Sequence, residues 1–268
     1  MTEIKDSKYM LMLADRVYYH GLLGSRMKNR RFGAVSLYVA PKGSFRLKLG
    51  DGQWTREDVT VLPSYQTHQI VSDCGSIINV LIEPDRLCFG EYDALLDKSR
   101  DPVRKAALID RIRAAARRLP FAAPDGDIAT QEFDRIVLGR SLAQRRIDPR
   151  IQSALDMLEE EGLECQASAA AISDRIGLSS SRFLHLFKEQ TSVSFRNFRM
   201  WRRARGFLFY ANQNSSLTNV ALSLGYPDSS HFSHSIRKTY GLQPRSIRIG
   251  SQNLRVDSSA RVAAAMAY

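Results

Sequence analysis

Two periodicities divide this chain. Between residues 32 and 90, apolar and polar positions change over in short runs. "AVSLYVAP" (34–41), "SFRLKLGDGQWT" (44–55), "DVTVLPSYQTHQI" (58–70) and "SIINVLIEPD" (76–85) are rich in β-branched and aromatic residues. Gly, Pro and Asp separate them, which predicts strands joined by turns, and their spacing predicts a small antiparallel barrel or sandwich. From Pro102 to Leu119 the pattern turns helical, with many alanines and arginines. "PFAAPDGD" (120–127) reads as a loop, and the Pro in "RIDPRI" (146–151) stands where a new helix begins. From Ile151 onward apolar residues recur at three and four, the helical period. The tail after Gly250 ends in "ARVAAAMAY", which suits a frayed helix or an unstructured segment equally.

The helical half repeats itself. "IGLSSSRFLHLFKEQTSV" (176–193) aligns with "LGYPDSSHFSHSIRKTYGL" (224–242) after one extra turn residue. Gly177 matches Gly225, Phe183 matches Phe232, His185 matches His234, and Lys188 matches Arg237. A short apolar helix precedes each copy, so each reads as helix, Gly-containing turn, helix: the helix-turn-helix pattern. Phe183, Leu186 and Phe187 form an apolar stripe at i, i+3, i+4 that would lock the first reading helix to its neighbours. The other face is slim and polar, as entry into a major groove requires. Ser179 is a natural N-cap, and Ser180 and Ser181 put hydroxyls beside the positive helix end. Between the copies, Phe195, Phe198, Trp201, Ala204 and Leu208 form one seam, which predicts a single long helix from Ser194 to about Tyr210.

Charge sharpens this picture. The 268 residues carry a formal net charge of +11, which points to a polyanionic partner. Between Asp174 and Asp228 the only acid is Glu189, against Arg175, Arg182, Lys188, Arg196, Arg199, Arg202, Arg203 and Arg205. A surface built for solubility alone intersperses both signs. Cys74, Cys88 and Cys165 are scattered and odd in number, so neither a disulfide framework nor a zinc site is indicated. Residues 1–30 are charged throughout, and no apolar run approaches the roughly 20 residues that span a bilayer. The expectation is a cytoplasmic protein with no membrane partner.

Residues 151–248 resemble the DNA-binding domain of AraC/XylS-type transcription regulators. The resemblance rests on "LSSSRFLHLFKE", on "RRARGFL", and above all on "ALSLGYPDSSHFSHSIRKTYGLQPRSIR". Residues 1–90 are similar, more weakly, to the cupin-like sensor domain of these regulators, with "LPSYQTHQI" as the Pro…His turn. The implied fold class is α+β: a small β-barrel, cupin-like domain, then an all-α domain with two helix-turn-helix modules joined by a long helix. The implied boundaries are a sensor and dimerisation domain at 1–100, a helical bridge at 101–150, the DNA-binding domain at 151–250 and a tail at 251–268.

Carried over by position, the first reading helix would use Ser180, Ser181, Arg182 and His185. The second would use Ser229, Ser230, Ser233 and His234, with Lys188 and Arg237 on phosphates and His231 bracing the turn. The family often has Arg where His185 and His234 stand. Arg grips guanine with two hydrogen bonds and neutral His with one, so the bases read are left open. The implied function is a sequence-specific regulator, more in the manner of an activator, with operator DNA, a second copy and RNA polymerase as partners. The rival reading is a ligand-binding cupin-like barrel with a general nucleic-acid-binding C-terminal domain.

No enzyme, metal site or required cofactor is expected. The first 150 residues hold only His20 and His68, with no H-x-H, and no G-x-S-x-G, P-loop or G-x-G-x-x-G occurs. "SRMKNRRF" (25–32) stands apart. Its R-x-x-x-R, Arg26 and Arg30, just ahead of a strand is similar to the arginine motif by which PilZ domains hold cyclic di-GMP. The accompanying Asp/Asn-x-Ser-x-x-Gly is absent. Cyclic di-GMP is the effector this similarity implies.

Overall fold

A computed structural model describes residues 8–22, 28–123, 126–160 and 168–266. The first third contains β1 (Tyr9–Met12), β2 (Arg16–Gly21), β3 (Val35–Val39), β4 (Phe45–Leu49), β5 (Trp54–Glu57), β6 (Val59–Leu62), β7 (His68–Ser72) and β8 (Ile77–Ile82). They build two sheets rather than a closed barrel. One is six-stranded in the order β6-β3-β8-β2-β1-β9, its last strand, β9 (Arg255–Ser258), coming from the tail, and the other is β5-β4-β7. The order leaves β6 and β9 as edges of the first sheet and β5 and β7 as edges of the second, with no ladder joining them among the described residues.

The six-stranded sheet is covered on both faces, which is why "YMLM" is apolar throughout and "IINVLI" apolar but for Asn79, instead of alternating. Alternate residues go to different cores. Leu11, Tyr18, Leu37, Val39, Ile78 and Val80 meet the bridging helices α1 (Phe89–Arg100), α2 (Pro102–Ala122) and α3 (Thr130–Leu138). Met10, Val17, Tyr19, Tyr38 and Leu81 face the opposite way. A buried ion pair ties α3 to β2: Arg16 donates from Nε and Nη2 to both Asp134 oxygens, at 3.0 and 3.2 Å. With both residues 1% exposed, removing Arg16 would strand the Asp134 charge, whereas Arg16 also has Asp15 Oδ2 at 3.3 Å.

The helical half comprises α4 (Pro149–Glu160), α5 (Ala169–Arg175), α6 (Ser180–Thr191), α7 (Phe195–Gly206), α8 (Leu217–Ser223), α9 (Ser229–Tyr240) and α10 (Pro244–Gly250). The expected linker helix is shorter than its apolar seam: α7 stops at Gly206 and Phe207–Tyr210 tighten into a 3-10 turn. Gly177 and Gly225 sit at φ +69° and +71°, so each α5–α6 and α8–α9 turn uses a backbone region open to glycine. The tail is ordered and returns to the N-terminal half. β9 (Arg255–Ser258) pairs in parallel with β1, Tyr9 opposite Arg255 and Met12 opposite Ser258, and α11 (Ala260–Met266) follows. Boundaries at 250/251 therefore divide the sequence but not the sheet.

Candidate nucleic-acid interface

Each reading helix is set by a cap and a stripe. In α6 the Ser179 hydroxyl accepts from the Arg182 N–H at 3.3 Å, and Phe183, Leu186 and Phe187 are buried. In α9 Asp228 accepts from the Ser230 and His231 N–H groups, both at 2.8 Å, while Phe232, Ile236 and Tyr240 are buried. His231 braces this cap through its ring, Nδ1 standing 2.8 Å from the Asp228 carboxylate. These contacts, the His231 N–H first, hold the Asp228 carboxyl below the usual carboxylate range.

Burying those stripes leaves matching faces outside. On α6, Ser181, Leu184, His185 and Lys188 are exposed at i, i+3, i+4, i+7. On α9 the equivalents are Ser230, Ser233, His234 and Arg237, of which Ser233 is half-buried and the others exposed, with Ser229 exposed at the helix start. Two expected residues stand elsewhere. Ser180 is half-buried, its hydroxyl 3.1 Å from that of buried Ser173 on α5, so it fastens the module internally. Arg182 lies on the flank toward Asp148, whose carboxyl is held down to about 2 chiefly by Arg150 and in part by Arg182. Leu184, 42% exposed, was missed by sequence reasoning. An apolar side chain three residues after Ser181 can meet a thymine methyl, and its signal was that it falls outside the buried stripe.

Between the two reading helices runs a groove of about 600 Å³, floored by α7. Leu184 stands on one side, His231, His234 and Lys238 on the other, and Arg196, Arg199 and Arg203 on the floor.

The opposite side of α7 grips the sheet half. Trp201 Nε1 donates to both oxygens of Glu83, at 3.0 and 2.9 Å, and Arg205 Nε is 3.2 Å from the same carboxylate. Arg205 also donates to the carbonyls of Leu13 and Ala14. Burial pushes the Glu83 carboxyl up to about 7, against the pull of Arg205. Phe32 lies between the second module's aromatic rings, with centroids 5.9 Å from Trp201 and 5.5 Å from Tyr240. Two backbone bonds complete the clasp, Lys28 N–H to Gly241 O and Arg31 N–H to Thr239 O, each 3.0 Å.

The stretch "SRMKNRRF" thus has a structural task from Lys28 onward; Arg26 lies outside the described residues. Arg30 does not reach into solvent. It is 5% exposed, with its guanidinium 6.0 Å from the Phe32 and Tyr38 rings. Its backbone bridges His68, which is buried and pushed down to about 3 by burial and by the Arg30 charge. With Gln66 O accepting from Nδ1 at 2.8 Å, Nε2 is left to accept from the Tyr38 hydroxyl at 2.9 Å. Beside them is a narrow cavity of about 30 Å³, walled by Met10, Tyr19, Arg30 and Phe32 from the sheets and by Leu208 and Tyr240 from the helical half. Among the described residues no group of three metal-ligating side chains comes together, and no helix is long and apolar enough to cross a membrane.

Residues 172–249 match a helix-turn-helix domain family. The chain is 31% identical over 153 residues to the HTH-type transcriptional activator RhaS of Escherichia fergusonii, covering 53% of this chain and 55% of that protein. It is 24% identical over 107 residues to the arabinose operon regulatory protein of Salmonella typhimurium, covering 40% and 38%. The chain therefore spans about half or less of these relatives' length. ToxT from Vibrio cholerae O395 superimposes with a TM-score of 0.52 at 12% identity, over 91% of this chain and 98% of that one. Unsaturated fatty acid bound ToxT gives 0.50 at 12% identity, over 93% and 98%. The arrangement of a sheet-rich N-terminal part and a helical C-terminal part is shared with ToxT.

Proposed function

We propose that this chain, whose C-terminal domain belongs to the AraC/XylS type, is a sequence-specific DNA-binding transcription regulator governed by a small ligand at its N-terminal half. The observation that carries the reading is the pair of matching exposed faces on α6 and α9, flanking one basic groove. Two such helices in one chain would enter successive major-groove segments on one side of the duplex, about 34 Å apart. Ser181, Leu184, His185, Ser229, Ser230, Ser233 and His234 would meet base edges, and Lys188 and Arg237 the phosphates. Activation is taken from the RhaS relative, an HTH-type transcriptional activator, with RNA polymerase and a second copy of the chain as further partners.

The test separates reading from positioning. His185→Ala and His234→Ala in the full chain should erase the preference for a selected duplex over a random one. Lys188→Ala and Arg237→Ala should weaken both alike and flatten the salt dependence by about one log–log unit each. Unchanged discrimination in the His variants would refute this reading face, and the rival general nucleic-acid-binding domain would show no discrimination in any variant.

The ligand class that the cavity favours is an apolar chain with one anionic end. Its walls are apolar and aromatic apart from Asn79, and Arg30 supplies one cation; the structural neighbour ToxT was solved with an unsaturated fatty acid. A cavity of about 30 Å³ holds little more than a water, so a chain enters by parting its walls, which belong to the sheets and to the second module. Cyclic di-GMP, the effector implied by Arg26 and Arg30, would need Arg30 turned outward. Calorimetric titration of oleate and of cyclic di-GMP into the full chain and its Arg30→Ala variant decides between them.

A further inference from the structure

α7 joins the two modules, but its sequence is far more basic than a spacer needs: five of its twelve residues are arginine. The structure sorts these arginines by face. Arg202 and Arg205 lie on the side of Phe198 and Trp201, where Glu83 and Asp85 of the sheet half meet them. Arg196, Arg199 and Arg203, at i, i+3 and i+7, lie on the opposite side and line the groove between the reading helices. His231, His234 and Lys238 fall on one flank of α9 and line the same groove, and no carboxylate lines it among the described residues.

We propose that α7 is itself a DNA-contacting element, its Arg196, Arg199 and Arg203 holding the sugar–phosphate backbone where the duplex passes between the two major-groove segments, with Lys238 beside them. The proposal rests on the DNA-binding reading of α6 and α9 and adds a third contact region to it. The geometry follows from that reading. A duplex read in two successive major-groove segments on one side presents its minor groove, edged by two phosphate strands, between them. The groove floored by α7 lies between the two reading helices, so that stretch of backbone faces these arginines. Their chemistry fits. A guanidinium can give a phosphate two parallel hydrogen bonds, and one stacked on a ring keeps its planar edge in register; the Arg199 guanidinium stands 5.7 Å from the Phe195 ring. Such contacts fix register and carry no base information.

The test uses the full-length protein, a duplex it selects from a random pool, and an unselected duplex of equal length. Arg196→Gln, Arg199→Gln and Arg203→Gln should each flatten the slope of log affinity against log salt by about 0.9, equally on both duplexes, with discrimination kept. The Arg→Lys variants should restore the slope, which a role in folding alone would not require. A second arm leaves the protein unaltered. A selected duplex with neutral methylphosphonates only at the phosphates between the two major-groove segments should bind wild type with the same flattened slope. It should bind the triple Gln variant as the unmodified duplex does. Unchanged slopes in the single variants, or indifference of wild type to the neutral phosphates, would overturn the proposal while leaving the α6 and α9 reading intact. No salt-dependent binding of any duplex by wild type would instead refute the DNA-binding reading, and this proposal with it.

Discussion

The two helix-turn-helix modules share a sequence pattern but not a way of being held. Among the described residues, the buried core of the first draws on residues 151–198, among them Ile151, Leu155, Ile172, Phe183, Phe187 and Phe195, and the sheet half adds half-buried Tyr65. The buried core of the second is continuous with the inner face of the sheets. Trp201, Leu208, Phe232, Ile236 and Tyr240 belong to one cluster with Met10, Val17, Phe32, Tyr38 and Leu81. The difference teaches where a signal from the N-terminal half can go. Any change around Phe32 is a change in the packing of the second module, while among the described residues the first meets the rest through α7, Tyr65 and polar contacts such as Arg145 to Gln190 O at 2.7 Å.

The largest expected effect is therefore at Phe32. Phe32→Ala should cost about 3–5 kcal/mol in urea unfolding, the usual penalty for emptying a buried aromatic site. Native-state hydrogen exchange should show α8–α10 losing protection together with β3 and β8 while α5 and α6 keep theirs. Phe183→Ala, in the self-contained core, should cost as much and leave the sheet amides protected. Equal loss of protection everywhere in both variants would abolish the distinction.

Next in size is Glu83, the carboxylate that α7 grips. Its folded value of about 7 lies above the ordinary 4.5, so in the folded state it keeps a proton that the unfolded chain has released. Stability from this group is greatest below pH 4.5 and falls as pH rises through about 7. The difference is on the order of 3 kcal/mol. Glu83→Gln cannot titrate, so the change in stability from pH 5 to pH 8 should be more positive for the variant than for wild type. His68 works in the opposite direction between about 3 and its ordinary 6.5, adding stability as pH rises, so the two windows overlap. Comparing wild type with the variant cancels it.

Gly241 tests the clasp alone. It closes α9 at φ +71°, and a Cβ there would stand 2.4 Å from the Lys28 carbonyl oxygen. Gly241→Ala should cost about 1–2 kcal/mol for the left-handed backbone and roughly 1 more for a clasp hydrogen bond. The matching position in the first module is Ser192, at φ +65° with no sheet against it. Ser192→Gly should relieve its backbone but lose the Arg145 bond to its hydroxyl, 3.0 Å. The net change should stay within about 0.5 kcal/mol.

This asymmetry was not legible in the sequence, although the modules themselves were. Repeated stripes such as Phe183-Leu186-Phe187 obey a local period, so they can be read without knowing what they touch. The strands from Val35 to Ile82 were legible through the Gly, Pro and Asp turns between them and their β-branched and aromatic residues. β1 and β2 escaped although they are buried on both faces just as β8 is, and β9, with "RVDS", is a strand only because β1 offers it an edge. Trp201 fell on an apolar seam, correctly read as core. Nothing local said that the core included Phe32 and Glu83, more than a hundred residues away. Arg196, Arg199 and Arg203 were visible as charge, but the side of α7 they share becomes a site only when α9 is folded beside it.

The smallest effects should come from the caps, where the two modules differ by one carboxylate. Ser179 holds a single N–H at 3.3 Å, and Ser179→Ala should cost about 0.5–1 kcal/mol at any pH, since a hydroxyl does not titrate here. Asp228 holds two N–H groups and the His231 ring. Its carboxyl is held below the usual 3.8, so its contribution is complete above that value and lost as pH falls through the lower folded one. Asp228 also puts a negative charge at the start of a helix that reads DNA, close to where phosphates would lie. Asp228→Asn keeps a good N-cap and removes that charge. The melting temperature at neutral pH should change little, acid sensitivity of the second module should diminish, and affinity for selected and random duplexes should rise together. Ser179→Ala should do none of this to DNA binding beyond what its lost stability explains. A drop in affinity for Asp228→Asn, measured at several salt concentrations, would place this end of α9 away from the phosphates and so set the second module's docking apart from the first's.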